Sequence, residues 1–149
     1  MNDPSGSNWR KWDLHFHTPK SYDHGQKGKT AAEVVDRLVS NGIPAVAVTG
    51  HHVIDADFIK AMQASAGDRL TVLPGIELSS NLGGGDGIHF IAIFREDSDV
   101  TYLSNEIGAK LEIATKRQQG HTDDKLYVEF PAAATIVQKL GGLLTIHAH

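Results

Sequence analysis

Strand-like and helix-like segments alternate along almost the whole sequence, and this alternation limits the fold more than any other feature. Residues 11–17 alternate polar and apolar side chains with the period of a strand, and Thr30 with Glu33 forms a capping box that opens a helix ending at Gly42. Short apolar segments typical of buried strands follow at residues 45–49, 70–78, 88–94 and 143–146, separated by helical periodicity at 55–66, 100–111 and 131–140. This order predicts an α/β fold with a mainly parallel sheet and functional groups at the strand ends.

Two local features of the third and fourth strands bear on this topology. Pro74-Gly75 lies inside the third strand, where we expect a bulge or kink. The following segment, residues 81–87, is too short for a crossover helix, so the fourth strand should return antiparallel or by an irregular link. That arrangement would place Glu77 and His89 near the same end of adjacent strands.

The composition fits one soluble domain and narrows the possible chemistry. The chain has 149 residues, 40% of them hydrophobic, and a net charge of −4, which offers no broad basic face for a nucleic-acid backbone. It has no cysteine, which excludes disulfides, thiolate zinc sites and a cysteine nucleophile, so any metal must be held by His, Asp or Glu. No signal peptide or membrane-spanning segment is evident, so we expect a cytoplasmic protein without a membrane partner.

The histidines are the strongest functional signal. The segment D-L-H-F-H puts His15 and His17 on one face of a strand, about 7 Å apart, within reach of one metal ion. Glu77 lies in an apolar strand, and a buried carboxylate is rare unless it is paired or binds a metal. His51 and His52 follow the second strand, and His89, His147 and His149 lie in the last two. One such histidine is more often a core residue, but five of five strand ends carrying His or Glu predict a metal centre.

In combination and in order, these segments resemble the motifs of the PHP (polymerase and histidinol phosphatase) family. The motifs are D-L-H-F-H-T, T-G-H-H, P-G-I-E, the strand with His89, and G-G-L-L-T-I-H, and the resemblance runs from about Trp9 to His149. It implies a distorted (β/α)7-type barrel, incomplete at the C-terminus, with up to three divalent ions at its mouth. Residues 1–8 would be a flexible N-terminus, and 9–149 the N-terminal portion of the domain.

Carried over residue by residue, the resemblance implies a set of metal ligands. They are His15 and His17 on one ion, Glu77 as a bridging carboxylate, His89 and His147 on a second ion, and Asp23 with His51 on a third. The catalytic residues implied are His15, His17, Glu77 and His147.

Two of these positions have alternatives. Asp23 or His24 could fill the loop position, and His147 or His149 the fifth motif, where we favour His147. The family's last motif, an Asp-x-His pair after a further strand, does not follow. We therefore expect the 149 residues to be a fragment that lacks full activity when taken alone.

The second motif departs from the family pattern. It usually has the form T-D-H, and here Gly50 replaces the Asp that would orient a ligand. We expect His51 to be the ligand and His52 its neighbour without a role, because adjacent residues at a strand end point apart.

Imidazole and carboxylate ligands without thiolate suit Zn²⁺, Mn²⁺ or Fe²⁺, and two neighbouring ions can activate a water and clamp a phosphate. We therefore expect a metal-dependent phosphoesterase with two to three ions, acting on a phosphomonoester or a nucleic-acid phosphodiester.

The opening segment W-R-K-W-D-L-H also resembles PHP domains that precede a P-loop ATPase, so downstream domains of the same protein are expected partners. The alternatives are a PHP module used for structure or interaction without catalysis, and an amidohydrolase-type barrel, which also opens with H-x-H.

Overall fold

The computed structural model describes residues 10–19, 28–82 and 87–147, with the side chains of residues 146 and 147 left out. The predicted flexible segment 1–8 therefore lies outside the described residues. The strands are β1 (Asp13–Phe16), β2 (Ala45–His51), β3 (Thr71–Ser80), β4 (Ile88–Ile93) and β5 (Leu143–His147). The helices are α1 (Ala31–Ser40), α2 (Ala56–Ala66), α3 (Val100–Lys110), α4 (Ile113–Gln118) and α5 (Phe130–Lys139), with 3-10 turns at Gly67–Arg69 and Asp123–Lys125.

The five strands form one sheet in sequence order, which confirms the α/β class. β1, β2 and β3 are parallel, whereas β4 runs antiparallel to both β3 and β5. The antiparallel return of β4 is confirmed, because the short link before it leaves no room for a crossover helix. The expectation of a mainly parallel sheet is only half right, since this one reversed strand makes two of the four pairings antiparallel.

The structure has no bulge at Pro74-Gly75, because the pairing of β3 with β2 continues without a shift through both residues. The glycine is needed for close packing instead. A Cβ on Gly75 would lie 2.8 Å from Cγ2 of Thr49, its register partner on β2. The irregular pairing is between β1 and β2, where the register shifts between Asp13 and Phe16.

The helix α1 illustrates how local sequence sets the elements. The backbone N–H of Glu33 donates to Thr30 Oγ1, and that of Thr30 donates to Glu33 Oε2, so the predicted capping box is confirmed. Val35 and Leu38 lie three residues apart and are buried in the main core. The helix ends at Ser40, just before Gly42, which has a φ of 70°.

Side-chain alternation along the strands divides the sheet into two faces. One face packs against the helices in a single core that includes Val46 and Val48 of β2 and Ile76 of β3. The intervening positions, among them His51 and Glu77, lie on the opposite face. The polar residues of the second face are therefore kept apart from the main core. No helix in the described part of the chain is long and apolar enough to cross a membrane.

Candidate metal centre

Glu77 on β3 is the centre of a cluster of imidazole rings. Its side chain is 1% exposed, and Oε2 lies 3.0 Å from His15 Nε2, 2.8 Å from His17 Nε2 and 3.2 Å from His51 Nδ1. The other oxygen, Oε1, lies 2.7 Å from His89 Nδ1. One carboxylate thus contacts four histidines from three other strand regions.

The sheet topology explains why residues far apart in sequence meet here. β1, β2 and β3 are parallel, so their carboxyl ends lie at one edge of the sheet, and β4 begins at that edge because it runs in the opposite direction. His51 is the register partner of Glu77, and His89 is the partner of Ser79, two residues further along β3. The predicted proximity of Glu77 and His89 is confirmed.

His15 and His17 point to the same place, as strand alternation predicts. Their Nε2 atoms are 2.9 Å apart, and the His17 ring packs edge-on against that of His51, with ring centroids 4.4 Å apart. One ligand atom each from His15, His17 and Glu77 lie within 4.8 Å of one another. The predicted convergence of these three side chains is therefore confirmed.

This donor set fits a metal ion. The contacts among the three ligand atoms are 2.8 to 3.0 Å long. Atoms bonded to one ion at about 2.1 Å are separated by about 3.0 Å in octahedral and about 3.4 Å in tetrahedral coordination. Two imidazole nitrogens and one carboxylate oxygen match the preferences of Zn²⁺, Mn²⁺ and Fe²⁺.

The electrostatics favour the ionised carboxylate, which is the form that binds metals. Burial opposes ionisation of Glu77, but hydrogen bonds with His15, His17 and His89 together outweigh it and lower the pKa of Glu77 far below its usual range. Glu77 is therefore ionised at neutral pH.

His51 and His52 lie in different surroundings. His51 contacts Glu77, whereas His52 has a left-handed φ of 52° and donates its backbone N–H to the Glu77 carbonyl at 2.8 Å. The His52 ring is buried, and neither ring nitrogen has a hydrogen-bond partner among the described residues. Burial lowers the pKa of His52 to about 4, so its ring is neutral at pH 7. That His51 is the metal ligand remains a prediction.

The structure gives a steric reason for Gly50. A Cβ at this position would lie 2.9 Å from the Val53 carbonyl oxygen and 3.2 Å from Val53 Cγ1. The chain after β2 thus folds back over the place where the usual Asp of the motif would project. The tight turn therefore explains why this position has a glycine and not the Asp of the family motif.

The sequence did not reveal a link between α4 and the cluster. Arg117 NH2 donates to Asp123 Oδ1 at 2.8 Å and to the backbone carbonyl of His51 at 3.4 Å. The segment that carries both residues is polar and holds several charges of each sign, and nothing in its sequence singles out Arg117 and Asp123 as a pair. Such a pair is normally solvated surface, so this contact was not predicted.

Four of the predicted positions are not tested by this geometry. Asp23, His24 and His149 lie outside the described residues. His147 belongs to β5, where its backbone is the register partner of His89, and its side chain is not described. The roles of these residues as ligands remain predictions.

Comparison with known proteins agrees with the sequence motifs. The PHP domain family matches over residues 13–140. A crystal structure from Bifidobacterium adolescentis, of a protein provisionally described as a metal-dependent phosphoesterase, is similar with a TM-score of 0.46 and 21% identity over 87% of this chain. This chain spans 44% of that protein's length. No curated protein matches the sequence. On the family match, which covers most of its length, the chain belongs to the PHP domain family.

Proposed function

We propose that this PHP domain is a metal-dependent phosphoesterase. The observation that carries the proposal is the buried Glu77 carboxylate in contact with four histidines. A buried anion surrounded by imidazole rings is costly to assemble for stability alone, because replacing such a polar cluster by apolar residues is often neutral or stabilising. It is the donor arrangement that a metal centre requires.

The residues that would hold the ions follow from the two carboxylate oxygens. His15 and His17 share Oε2 with His51, while His89 faces Oε1, so Glu77 has one oxygen on each side, as a bridging ligand needs. His15, His17 and Glu77 would hold one ion. His89 would hold a second ion and His51 would contribute to a third. The family motifs add His147 to the second ion and Asp23 to the third. Bound divalent ions would supply an activated water and positive charge for the phosphate oxygens.

The chain's own residues fix the ligands in place before an ion binds. Glu77 stays ionised and accepts from the imidazoles, and the backbone N–H of His52 holds the Glu77 carbonyl. The Arg117 guanidinium holds the carbonyl of His51. Hydrogen bonds of this kind orient metal ligands, and their loss typically costs about 10- to 100-fold in metal affinity or activity.

The substrate would be a phosphomonoester or a nucleic-acid phosphodiester. The net charge of −4 favours a small ester over a long nucleic acid, because extended phosphate backbones bind to basic faces. We further propose a cytoplasmic location and, from the opening segment, a P-loop ATPase domain as partner. A PHP module that binds metal without catalysis is the second candidate, which Gly50 favours because the family's Asp is missing there.

The test is metal-dependent turnover. The protein is stripped with a chelator, Zn²⁺, Mn²⁺ or Fe²⁺ is returned, and hydrolysis of 4-nitrophenyl phosphate and bis(4-nitrophenyl) phosphate is followed. We expect turnover only with metal, and a loss of about 100-fold or more in Glu77→Gln, with Glu33→Gln as the matched control. Turnover that survives chelation would contradict the proposal, and metal binding without turnover would favour the non-catalytic module.

A further inference from the structure

A cavity of about 520 Å³ opens beside the histidine cluster. It lies between the chain that follows β2 and the first two turns of α3, and His51 and Thr18 belong to its wall. Both residues connect it to the cluster, since His51 contacts Glu77 and Thr18 directly follows His17. A molecule whose phosphate group reached the cluster could extend into this cavity.

The wall of the cavity combines apolar residues of the chain after β2, Val53 and Ile54, with polar side chains of two helices. Thr101, Ser104 and Asn105 occupy positions i, i+3 and i+4 of α3 and so share one face of that helix. Asp57, in the first turn of α2, lies on the other wall. Some of the polar groups are already engaged: the Ser104 hydroxyl donates to the Ile54 carbonyl at 3.0 Å.

Other polar groups in the wall have no partner among the described residues. The side chains of Asp57, Asn105 and Thr18 make no hydrogen bond to the described residues, so they can bind a ligand that enters the cavity. Thr18 directly follows His17, so its hydroxyl is the group of the wall that lies nearest in sequence to the cluster.

The lining residues also limit the chemistry of that ligand. None of those described is Lys or Arg, so a second phosphate or carboxylate would find carboxylates and no cation. Arg117 and Lys60 touch the wall from outside, but each is already hydrogen-bonded, to Asp123 and Thr101. None is Phe, Tyr or Trp, so a nucleobase would lack a ring to stack on. Carboxylate, amide and hydroxyl groups are partners for hydroxyl groups.

We propose that this cavity receives the alcohol part of the phosphoester, and that this alcohol is uncharged and carries several hydroxyl groups, as in a sugar or polyol phosphate. Asp57 and Asn105 are then residues that determine specificity, and Thr18 binds the alcohol near the ester. This inference rests on the proposed phosphoesterase function and adds the substrate class to it.

The experiment compares kcat/KM of the metal-loaded protein for glucose 6-phosphate, adenosine monophosphate, fructose 1,6-bisphosphate and 4-nitrophenyl phosphate. We expect glucose 6-phosphate to exceed the nucleotide and the bisphosphate by about 10-fold or more. Asn105→Ala and Asp57→Ala should each lower kcat/KM for glucose 6-phosphate by about 5- to 10-fold, mainly through KM, and leave 4-nitrophenyl phosphate within about 2-fold. Asp57→Asn, which keeps the shape, should cause a smaller loss in the same direction.

Glu106→Ala is the matched control, because Glu106 follows Asn105 on α3 and does not line the cavity. A preference for the nucleotide or the bisphosphate would overturn the inference. The inference would also be overturned if Asn105→Ala and Asp57→Ala lowered kcat/KM equally for glucose 6-phosphate and 4-nitrophenyl phosphate, or did not lower it for glucose 6-phosphate. In each of these cases, turnover of 4-nitrophenyl phosphate would show that the proposed phosphoesterase function still holds. If the metal-loaded protein hydrolyses none of the four esters, the proposed function fails and this inference fails with it.

Discussion

Two glutamates in this protein have a strongly lowered pKa, but they sit in opposite surroundings. The pKa of Glu33 falls to about 2 because the Thr30 backbone N–H and the Lys29 ammonium donate to its carboxylate at the exposed start of α1. Glu77 is 1% exposed, and two of its partners, His15 and His17, are 62 and 60 residues away in sequence. The pKa is lowered by neighbours in sequence at Glu33, and by residues that the folded sheet brings together at Glu77.

The difference separates a structural from a functional carboxylate. The partners of Glu33 lie within four residues and are screened by water, so the group does little more than start a helix. Glu77 is held by side chains that only the folded sheet brings together, at the cost of burying an anion. An anion buried in this way is a candidate for function, and the exposed one is its natural control.

The largest effect is expected from Glu77→Gln. Removing the charge leaves four imidazoles around a neutral amide, so we expect the affinity for Zn²⁺ or Mn²⁺ to fall by about 100-fold or more. A competition titration with a chromophoric chelator measures this. Glu33→Gln should keep the affinity of the wild type, and equal affinities in all three proteins would remove Glu77 from the metal centre.

A second prediction concerns His52, the buried ring next to the cluster. Its pKa is about 4 in the folded protein and 6.5 when exposed, so the unfolded chain binds the extra proton first as the pH falls. Stability from this group is complete above pH 6.5 and is lost as the pH falls towards 4, by about 2 kcal/mol at pH 5.

Urea unfolding with chelator present, at pH 7.5 and pH 5, tests this loss. In His52→Asn, whose new residue tolerates a positive φ, the decrease between the two pH values should be smaller by about that 2 kcal/mol. An identical pH dependence in the variant would mean that the ring is not buried as a neutral group.

Gly50→Asp introduces the Asp of the family motif, and it tests whether the turn beside the cluster can accept a side chain. Because a Cβ there meets Val53, we expect a loss of about 1 to 3 kcal/mol in the free energy of unfolding and no gain in turnover. Gly108→Ala on α3 is the control, since its Cβ would meet nothing within 4 Å, and it should stabilise by about 0.5 to 1 kcal/mol. Higher turnover in Gly50→Asp would mean that the loop adapts.

The smallest effect is expected at the exposed carboxylate. Glu33→Gln keeps the hydrogen-bonding shape of the capping box and loses only the charge that faces Lys29. We expect the melting temperature to fall by about 2 °C or less, with less change still in high salt. A larger fall, measured by circular dichroism, would mean that the two glutamates differ less than their burial indicates.

The parts of the molecule that could be predicted from sequence are those set by nearby residues. The capping box at Thr30 and the alternation that aligns His15 with His17 are local patterns, and the structure has both. The register of β1 against β2 depends on contacts between strands, so the sequence could not reveal its shift. The same is true of the close approach that requires Gly75.

The residues of the site can likewise be separated into those that the sequence reveals and those that it does not. Polar residues in apolar strands, such as Glu77 and His89, are conspicuous in a sequence because burial of a charged or polar group must be compensated. The contact of Arg117 with the carbonyl of His51 cannot be seen in the sequence, because Arg117 looks like an ordinary surface residue and its partner is a backbone atom. The fold-back of the chain over Gly50 is equally hidden, since it depends on the conformation of the following turn.

The central claim is that His15, His17 and Glu77 hold a metal ion, and anomalous diffraction from crystals grown with Zn²⁺ or Mn²⁺ tests it most directly. Data collected on both sides of the metal absorption edge locate the ion independently of the protein atoms. The account predicts a peak about 2.0 to 2.2 Å from His15 Nε2, His17 Nε2 and an oxygen of Glu77. No peak at these atoms, or a peak held by other residues while Glu77 contacts only imidazole, would contradict it.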